Sequence, residues 1–355
     1  MKRLKLPPMG VFHRGIPMEQ HKEPALSQPL DLLTNTPEPQ RMEGQPVYPD
    51  LEHVEPFEII RAAKAAGIID ERDGLPLFKK LKACVAKGVF IRVDAVDDEP
   101  YLSSQLGPLL RFREECVSGL RLACKAITAA DSGIIEVYRN MADLEIKIPR
   151  SIEGIRVRRI GGFYPTEIRS GYSLVEEEGK RYLYLGSCAL IHLHRAVFQG
   201  LAQTTAFLTV GGNCVAHPCN LEVSLGLPVT DVLDRCGLTE TPTRVVVGGS
   251  MTGQSVSDTD KALVTVTTRG VLAFRDKEQT DRSPCIRCGR CVQVCPMGLN
   301  PMMLYRSIQQ GLERETEALD YKHCIECMCC SFECPARLEI AEAIKEYRRG
   351  RRSAT

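Results

Sequence analysis

Eight cysteines near the C-terminal end of the chain fall into two runs of the same spacing. The first reads Cys285-Ile-Arg-Cys288-Gly-Arg-Cys291-Val-Gln-Val-Cys295-Pro296. The second reads Cys324-Ile-Glu-Cys327-Met-Cys-Cys330-Ser-Phe-Glu-Cys334-Pro335. Each is a Cys-x2-Cys-x2-Cys-x3-Cys-Pro run, the spacing that holds a [4Fe-4S] cluster. Three thiolates on a tight loop can wrap three irons of one cubane. The fourth cysteine sits on the helix that follows and points elsewhere; in two-cluster ferredoxins it ligates the other cluster. The spacing therefore predicts one cluster on Cys285, Cys288, Cys291 and Cys334, and a second on Cys324, Cys327, Cys330 and Cys295. Pro296 and Pro335 remove a backbone N–H and fix φ just after the fourth ligand. Zinc sites and disulfides are the competing explanations. Zinc usually pairs two Cys-x2-Cys knuckles without the cysteine-proline feature, so the doubled run favours iron-sulfur chemistry, which means one-electron transfer.

The rest of the chain must position these loops. Its 355 residues favour two or three domains. With 43% hydrophobic residues and a formal net charge of +1, it can build ordinary cores, and its bulk charge does not suit nucleic acid as a partner. No apolar run reaches the roughly 18 residues of a transmembrane helix. The opening Met1-Lys-Arg-Leu-Lys-Leu-Pro-Pro lacks the apolar core of a signal peptide. The two runs take eight of sixteen cysteines, and in a long chain without a leader a reducing cytoplasm is the expected compartment.

Residues 1–52 are rich in proline and polar side chains, as in Leu6-Pro-Pro-Met-Gly, Asn35-Thr-Pro-Glu-Pro-Gln and Gln45-Pro-Val-Tyr-Pro, and read as an extended arm. From 53 to 202 the pattern is α/β. Val54, Ile59, Ile60, Ala63 and Ala66 suit an amphipathic helix ending at Gly67. A charged loop, Asp70-Glu-Arg-Asp-Gly74, and a short helix through Leu81 follow. Strands are expected at Val89–Asp94 and Gly133–Tyr138 on either side of a long helix at 103–130. Further strands are expected at Ile155–Ile160 and Arg181–Leu185, with a helix at 188–199. Strand, helix, strand argues for a parallel sheet. Residues 203–275 change to short strands and glycine turns: Ala206–Gly212, Leu221–Gly226 and Arg244–Gly249, one helix at Thr230–Cys236, and a hairpin at Val264–Phe274. Residues 276–340 hold the two cysteine runs, separated by a helix at 301–313, and 341–355 read as a basic tail.

Several segments resemble those of one family. Glu99-Pro-Tyr-Leu looks like an E-P-Y-L that enters the long helix, and Tyr164-Pro165 resembles the Y-P before a G-x-E segment. Thr209-Val-Gly-Gly212, Pro218-x-Asn220 and Leu225-Gly-Leu-Pro-Val resemble the T-V-x-G, P-x-N and G-T-P-V of a β-grasp module. Gly248-Gly-Ser-Met-Thr-Gly253 resembles its G-G-P-M-M-G, and Val264-Thr-Val-Thr-Thr the strand before the clusters. With the cysteine runs, these cover roughly residues 53–340. They resemble the RnfC subunit of the Rnf electron transport complex and relatives such as the cobalamin reductase of propanediol utilisation and the proline-reductase electron carrier. The resemblance implies an α/β multidomain fold: a parallel-sheet domain of the FMN/NADH-binding type at 53–202, a β-grasp (SLBB-like) module at 203–275, and a dicluster ferredoxin-like domain at 276–340. It implies a cofactor-binding role for Glu99. It also implies partners: other subunits of a redox complex, membrane-bound Rnf subunits among them, and electron-donor and acceptor proteins. The expected location is cytoplasmic, peripheral on the cytoplasmic face of the membrane.

The departures from the family fall on its nucleotide site. Members that use NADH carry G-x-G-G-A-x-F-P after the first helix, glycines that let the backbone approach a flavin phosphate or pyrophosphate closely. Here the stretch is Gly67-Ile-Ile-Asp-Glu-Arg-Asp-Gly-Leu-Pro76. Asp70, Glu71 and Asp73 stand where glycines are needed and repel phosphate, with Arg72 offsetting one charge. The family's N-x-x-E-C-E-P reads Asp94-Ala-Val-Asp-Asp-Glu-Pro100, and its later N-V-x-T reads Leu185-Gly-Ser-Cys188. Its G-G-x-H start reads Arg14-Gly-Ile-Pro17, and the N-terminal extension is too short for the usual lipoyl-like β domain. The expectation is electron transfer through two [4Fe-4S] clusters by a subunit or carrier that has lost its own FMN and NADH site. The alternative is an FMN- and NADH-dependent oxidoreductase with the clusters as an exit wire. Other candidates read as structural: Cys214 and Cys219 as core or surface thiols, Cys329 as an extra thiol between ligands, His192 and His194 on different helix faces, and Arg348–Arg352 as a solvated tail.

Overall fold

Helix α1, Pro56–Ala65, begins where the sequence provides for it. Proline occupies its first turn, where no intrahelical N–H is needed, and the Glu58 carboxylate accepts the Glu55 backbone N–H at 3.2 Å. Ile59, Ala62 and Ala63 form the buried face, and Gly67 (φ 67) turns the chain away. The computed structural model describes residues 39–138, 148–160, 163–165, 174–275 and 282–353, with the backbone of 4–5 and 16–17. Most of the expected arm up to residue 38, the segment after Tyr164-Pro165 and residues 276–281 lie outside them. The described residues fall into two compact units, one built on 39–160 and 174–275, the other on 163–165 and 282–353.

In the first unit α1 is followed by α2 (Leu77–Cys84), β1 (Phe90–Ala95), α3 (Leu106–Arg111), α4 (Arg113–Ile127), β2 (Ile134–Tyr138), β3 (Ile155–Ile160), β4 (Leu174–Glu177), β5 (Lys180–Gly186) and α5 (Ser187–Phe198). Strands β5, β1, β2 and β3 lie side by side in that order and run parallel, with Asp94 opposite Gly186 and Arg92 opposite Ile134; β4 pairs antiparallel with β5. Strand β1 is buried from Ile91 onward, as a strand covered on both faces must be. Helices α4 and α5 approach closely because Gly119 has no Cβ; one there would lie 2.0 Å from the Leu190 carbonyl oxygen. The single helix expected at 103–130 does not form. Asp97 accepts the backbone N–H groups of Gln105 and Leu106, so the helix starts at Leu106, and it breaks at Phe112 (φ −112, ψ 40). The break sets the Phe112 ring against Phe207, 5.8 Å between centroids, with the Arg195 guanidinium 4.9 Å from its centroid.

The same unit continues into a mixed sheet of β6 (Thr205–Gly211), β7 (Cys219–Ser224), β8 (Arg244–Val247), β9 (Gln254–Val256) and β10 (Gly270–Phe274), ordered β7-β6-β10-β8-β9, with α6 (Val229–Cys236) between β7 and β8 in the chain. Strand β6 pairs antiparallel with β7 and parallel with β10, over a core that includes Leu208, Val210, Leu221, Val232 and Val271. The hairpin expected at Val264–Phe274 is absent. Thr268 donates its N–H to the Thr265 carbonyl and Thr265 donates its own to the Thr268 hydroxyl, so 265–268 is a turn and only Gly270–Phe274 enters the sheet, between β6 and β8.

The second unit contains α7 (Arg290–Gln293), α8 (Pro301–Gln309), α9 (Glu313–Ala318), α10 (Cys329–Phe332) and α11 (Ile340–Ser353). The Asn300 side chain accepts the Met303 N–H and caps α8. The stretch expected as a basic tail, 341–355, is instead largely the body of α11. Ile340, Ala341 and Ile344 share one helical face and are buried beside α8, and Tyr347 meets Tyr321 edge-to-face at 5.0 Å. Arg351 pairs with Glu313 at 2.6 Å, so the tail arginines are partly structural.

A buried polar seam joins the two sheets of the first unit. The Glu99 carboxylate accepts the backbone N–H groups of Met251 (2.8 Å) and Thr252 (3.2 Å) and the Thr252 hydroxyl (2.6 Å). Ser103 donates its N–H to the Thr209 hydroxyl and shares its own hydroxyl with Asn220, while Arg269 reaches Asp97 at 3.2 Å. Gly249 is required here, because a Cβ would lie 1.8 Å from a Glu99 carboxylate oxygen. Gly249→Ala should therefore destabilise the protein by about 1–3 kcal/mol, the range for overpacking a well-packed site. Gly350→Ala, with nothing within 4 Å of the added carbon, serves as control. Equal denaturation midpoints for the two variants would contradict the tight seam.

Candidate iron-sulfur centre

The two cysteine loops follow one backbone path. Arg287 (φ 56) and Glu326 (φ 60) hold left-handed conformations at equivalent places, as do Gly289 (φ 77) and Met328 (φ 63), and each loop runs into a one-turn helix, α7 or α10. Such alternation turns successive N–H groups toward one side, a concavity used at many iron-sulfur sites. Glu326 donates its N–H to Cys324 Sγ at 3.4 Å.

Cys285, Cys288 and Cys291 of the first loop and Cys334 of the second line one cavity of about 280 Å³. Cys324, Cys327 and Cys330 of the second loop and Cys295 of the first line another, a narrower one of about 20 Å³, with Cys329 beside them. Each fourth cysteine thus sits with the loop of the other repeat. Burial pushes Cys291 up, and Cys334, Cys288 and Cys285 add to it. Burial likewise pushes Cys324 up to about 11, with Cys327 and Cys295 adding and the Glu326 N–H opposing. Among the described residues no three His, Cys, Asp or Glu side chains close to the spacing of a single metal ion. The cysteines instead surround open space, widest at the first set, and four thiols from two segments match the donor set of a cubane.

The loops differ in cover. Cys285 and Cys288 are exposed, whereas Cys324 and Cys327 are half-buried and Cys329 and Cys330 are buried. Arg348 of α11 pairs with Glu326 at 2.9 Å and donates to the Cys324 carbonyl oxygen, and the Tyr164 hydroxyl donates to the Cys327 carbonyl oxygen at 2.9 Å. Cys329 Sγ lies 3.9 Å from the Tyr164 carbonyl oxygen.

The three segments that depart from the family meet at the C-terminal ends of β1 and β5. Glu71 lays its carboxylate on the first turn of α5, accepting the N–H groups of Cys188 (3.1 Å) and Ala189 (3.0 Å). Asp70 accepts the Gly186 N–H and the Lys80 ammonium, which also reaches Asp73 at 2.9 Å; Arg72 lies 2.7 Å from Asp94. A Cβ on Gly186 would lie 2.0 Å from Glu71 Oε1. These acids were expected in an open loop that repels phosphate. Instead Asp70 is fully buried and Glu71 is 6% exposed. The helix N-terminus, a natural seat for an anion, is filled by the chain's own carboxylate. Lys80 was the overlooked signal: it sits on the apolar face of α2 with Leu77, Leu81 and Cys84, where a buried ammonium needs an internal partner.

Other singled-out residues go elsewhere. Glu99 is spent on the seam. His192 is buried, which pushes it down to about 3, and its ring packs against Phe207; His194 Nδ1 lies 2.8 Å from the Ser118 hydroxyl. Cys219 has its sulfur neighbour in Cys236, 3.5 Å away across 17 residues, a proximity with no sequence signature.

Burial and the adjacent Asp70 push Glu71 up to about 7, while Lys80 and Arg72 outweigh burial at Asp70 and hold it below the usual carboxylate range. Because the folded value of Glu71 exceeds its ordinary 4.5, its contribution to stability is present below pH 4.5 and lost as pH rises to about 7. The denaturant midpoint of the native protein should fall across this window more steeply than that of Glu71→Gln, which cannot titrate. Parallel pH profiles would show that Glu71 titrates as in the unfolded chain.

A 4Fe-4S dicluster domain family matches residues 277–335 and an SLBB domain family residues 207–255. The C subunit of the ion-translocating oxidoreductase complex of Rhodobacter capsulatus is 30% identical, over 80% of this chain and 58% of its own length. The C subunit of the proton-translocating ferredoxin:NAD(+) oxidoreductase complex of Clostridium ljungdahlii is 27% identical, over 78% and 64%. The C subunit of the Na(+)-translocating ferredoxin:NAD(+) oxidoreductase complex of Acetobacterium woodii is 28% identical, over 69% and 57%. The chain thus spans between 57% and 64% of the length of these relatives. A chain of the NAD+-reducing [NiFe]-hydrogenase in its H2-reduced state superposes with a TM-score of 0.51 at 18% identity, over 82% of this chain and 61% of that one, a likeness of fold alone. Together with the SLBB and dicluster matches, these relatives show an RnfC-like chain, similar to the C subunits of ion-translocating oxidoreductase complexes over a little more than half their length.

Proposed function

We propose that this chain carries electrons within a redox complex, with Cys285, Cys288, Cys291 and Cys334 holding one [4Fe-4S] cluster and Cys324, Cys327, Cys330 and Cys295 the other. The observation that carries this reading is the pair of cavities, each lined by three cysteines of one repeat and the fourth of the other. Bound clusters supply reversible one-electron chemistry. The chain's part is to orient the thiols and limit water. Met302, Tyr305 and Ile340 wall the first cavity, and Leu299, Ile325 and Ile344 the second; such an apolar shell and the solvent it admits tune a metal centre.

On this reading the α/β domain has no seat for FMN or NADH. A phosphate on the first turn of α5 would have to displace the Glu71 carboxylate and disturb the Asp70–Lys80 and Arg72–Asp94 pairs. Breaking a buried pair costs about 3–5 kcal/mol, and about 1.4 kcal/mol is tenfold in affinity. Electrons then come from and leave to partner proteins: other subunits of the complex, membrane-bound ones among them. No helix among the described residues is long and apolar enough to cross a membrane, and we place the chain as a peripheral subunit on the cytoplasmic face.

Protein reconstituted anaerobically should hold about eight irons, and Cys295→Ala about four, with EPR of the reduced variant showing loss of the cluster on Cys324, Cys327 and Cys330. Loss confined to the cluster on Cys285, Cys288 and Cys291 would refute the crossed assignment. The reconstituted protein should also show no stoichiometric flavin band and no cluster reduction by NADH alone. Either signal would replace this reading with an FMN- and NADH-dependent oxidoreductase.

A further inference from the structure

We propose that the first cysteine loop is the docking face for an acidic surface of a partner electron-carrier protein; this rests on the two-cluster reading above. The two loops share a backbone and differ in what surrounds it. At equivalent positions the first carries Arg287, which is exposed, and the second carries Glu326, which Arg348 engages from α11. The second loop is covered by that arginine and by the Tyr164 hydroxyl on the Cys327 carbonyl. The first presents Cys285 and Cys288 at the surface, with Ile286 63% exposed between them. One-electron exchange needs the partner's cofactor close to the cluster, and among the described residues the first loop offers its thiols more openly than the half-buried second.

The charge around that loop selects the partner. Arg287 and Arg306 line its cavity, no carboxylate among the described residues does, and Arg290 stands exposed beside them. From 282 to 310 the sequence holds four arginines and no acid. Asp276, Glu278 and Asp281, with Lys277, precede them outside the described residues; counted in, 276–310 still carries a net +2. By contrast Glu313, Glu315, Glu317, Asp320, Glu326 and Glu333 against Arg314 and Lys322 leave 313–334 at −4. Arg348 and Arg351 of α11 pair with Glu326 and Glu313, and Arg282 pairs with Glu339, so the contrast between the loops rests on Arg287, Arg290 and Arg306 around the first. A positive rim around an exposed centre raises the encounter rate with a negative surface and disfavours a positive one, and at 0.1 M salt the effect is largely screened beyond about 10 Å.

The test uses the reconstituted protein and a flavodoxin, a strongly acidic one-electron carrier, as probe. Calorimetric titration at low and high salt gives Kd for the native protein, for Arg290→Glu with Arg306→Glu, and for Lys79→Glu with Lys82→Glu, the same charge change on the other unit. Neither pair contains an assigned cluster ligand. Iron content and EPR of each sample report separately on the clusters, so their absence would sink the two-cluster reading rather than the docking face. With clusters present, the expected result is at least a tenfold weaker Kd at high salt and at least a tenfold weaker Kd for the arginine pair, with the lysine pair near the native value. No binding, binding indifferent to salt, or equal losses for the two pairs would overturn the proposal.

Discussion

A cysteine placed one helical turn beyond its own loop faces away from it. That constraint organises the C-terminal unit. Cys295 and Cys334 each sit with the loop of the other repeat, so neither repeat completes a set of four thiols alone. Helix α8, between the runs, and helix α11, after them, hold the loops in register through Leu304, Ile340, Ala341 and Ile344. The arginines of α11 add to this, Arg348 on the second loop and Arg351 on Glu313. A chain of this design must fold both loops to make either site.

The first unit solves a different problem. Three of its turns point backbone N–H groups at one spot, and in each the chain supplies its own carboxylate. Glu71 takes the N–H groups of Cys188 and Ala189, Asp97 those of Gln105 and Leu106, and Glu99 those of Met251 and Thr252. A buried N–H without an acceptor costs about 1–3 kcal/mol, and a buried carboxylate without donors costs more, so each element satisfies the other. The consequence differs by place. At Asp97 the carboxylate starts a helix and at Glu99 it ties two sheets together. At Glu71 it occupies the end of a parallel sheet, the crevice where open α/β sheets take their ligands.

The sequence by itself determined the elements whose information is local. The cysteine runs identify their chemistry because ligand spacing on a loop is short-range. The β-branched residues Ile91, Val93, Ile135 and Val137 mark the two strands, and the parallel sheet follows from the helices between them; the burial of Arg92, Asp94 and Glu136 alongside them is not local information. The strands of the second sheet fall close to where β-rich segments and glycine turns put them. The turn at Thr265–Thr268 overrode the expected hairpin because side-chain hydroxyls offered the backbone a closer partner than a second strand.

What only the tertiary structure decided were pairings across long separations. Three altered segments around positions 70, 94 and 186 are far apart in sequence and are tied to one site there only by the family resemblance; folded, they are one hydrogen-bonded network, because β1 and β5 are neighbours and bring Asp94 and Gly186 opposite each other. Acids that look solvent-exposed in Asp70-Glu-Arg-Asp are buried, since a loop of charges is soluble by itself and only its partners, Lys80 and the N-terminus of α5, make the interior a better place. The basic stretch after residue 340 looks like a tail because arginine dominates its composition; its few apolar residues share one helical face, and a helix needs a surface to pack on before that face counts. Local spacing states which groups can do chemistry, and the fold states which of them are already occupied with one another.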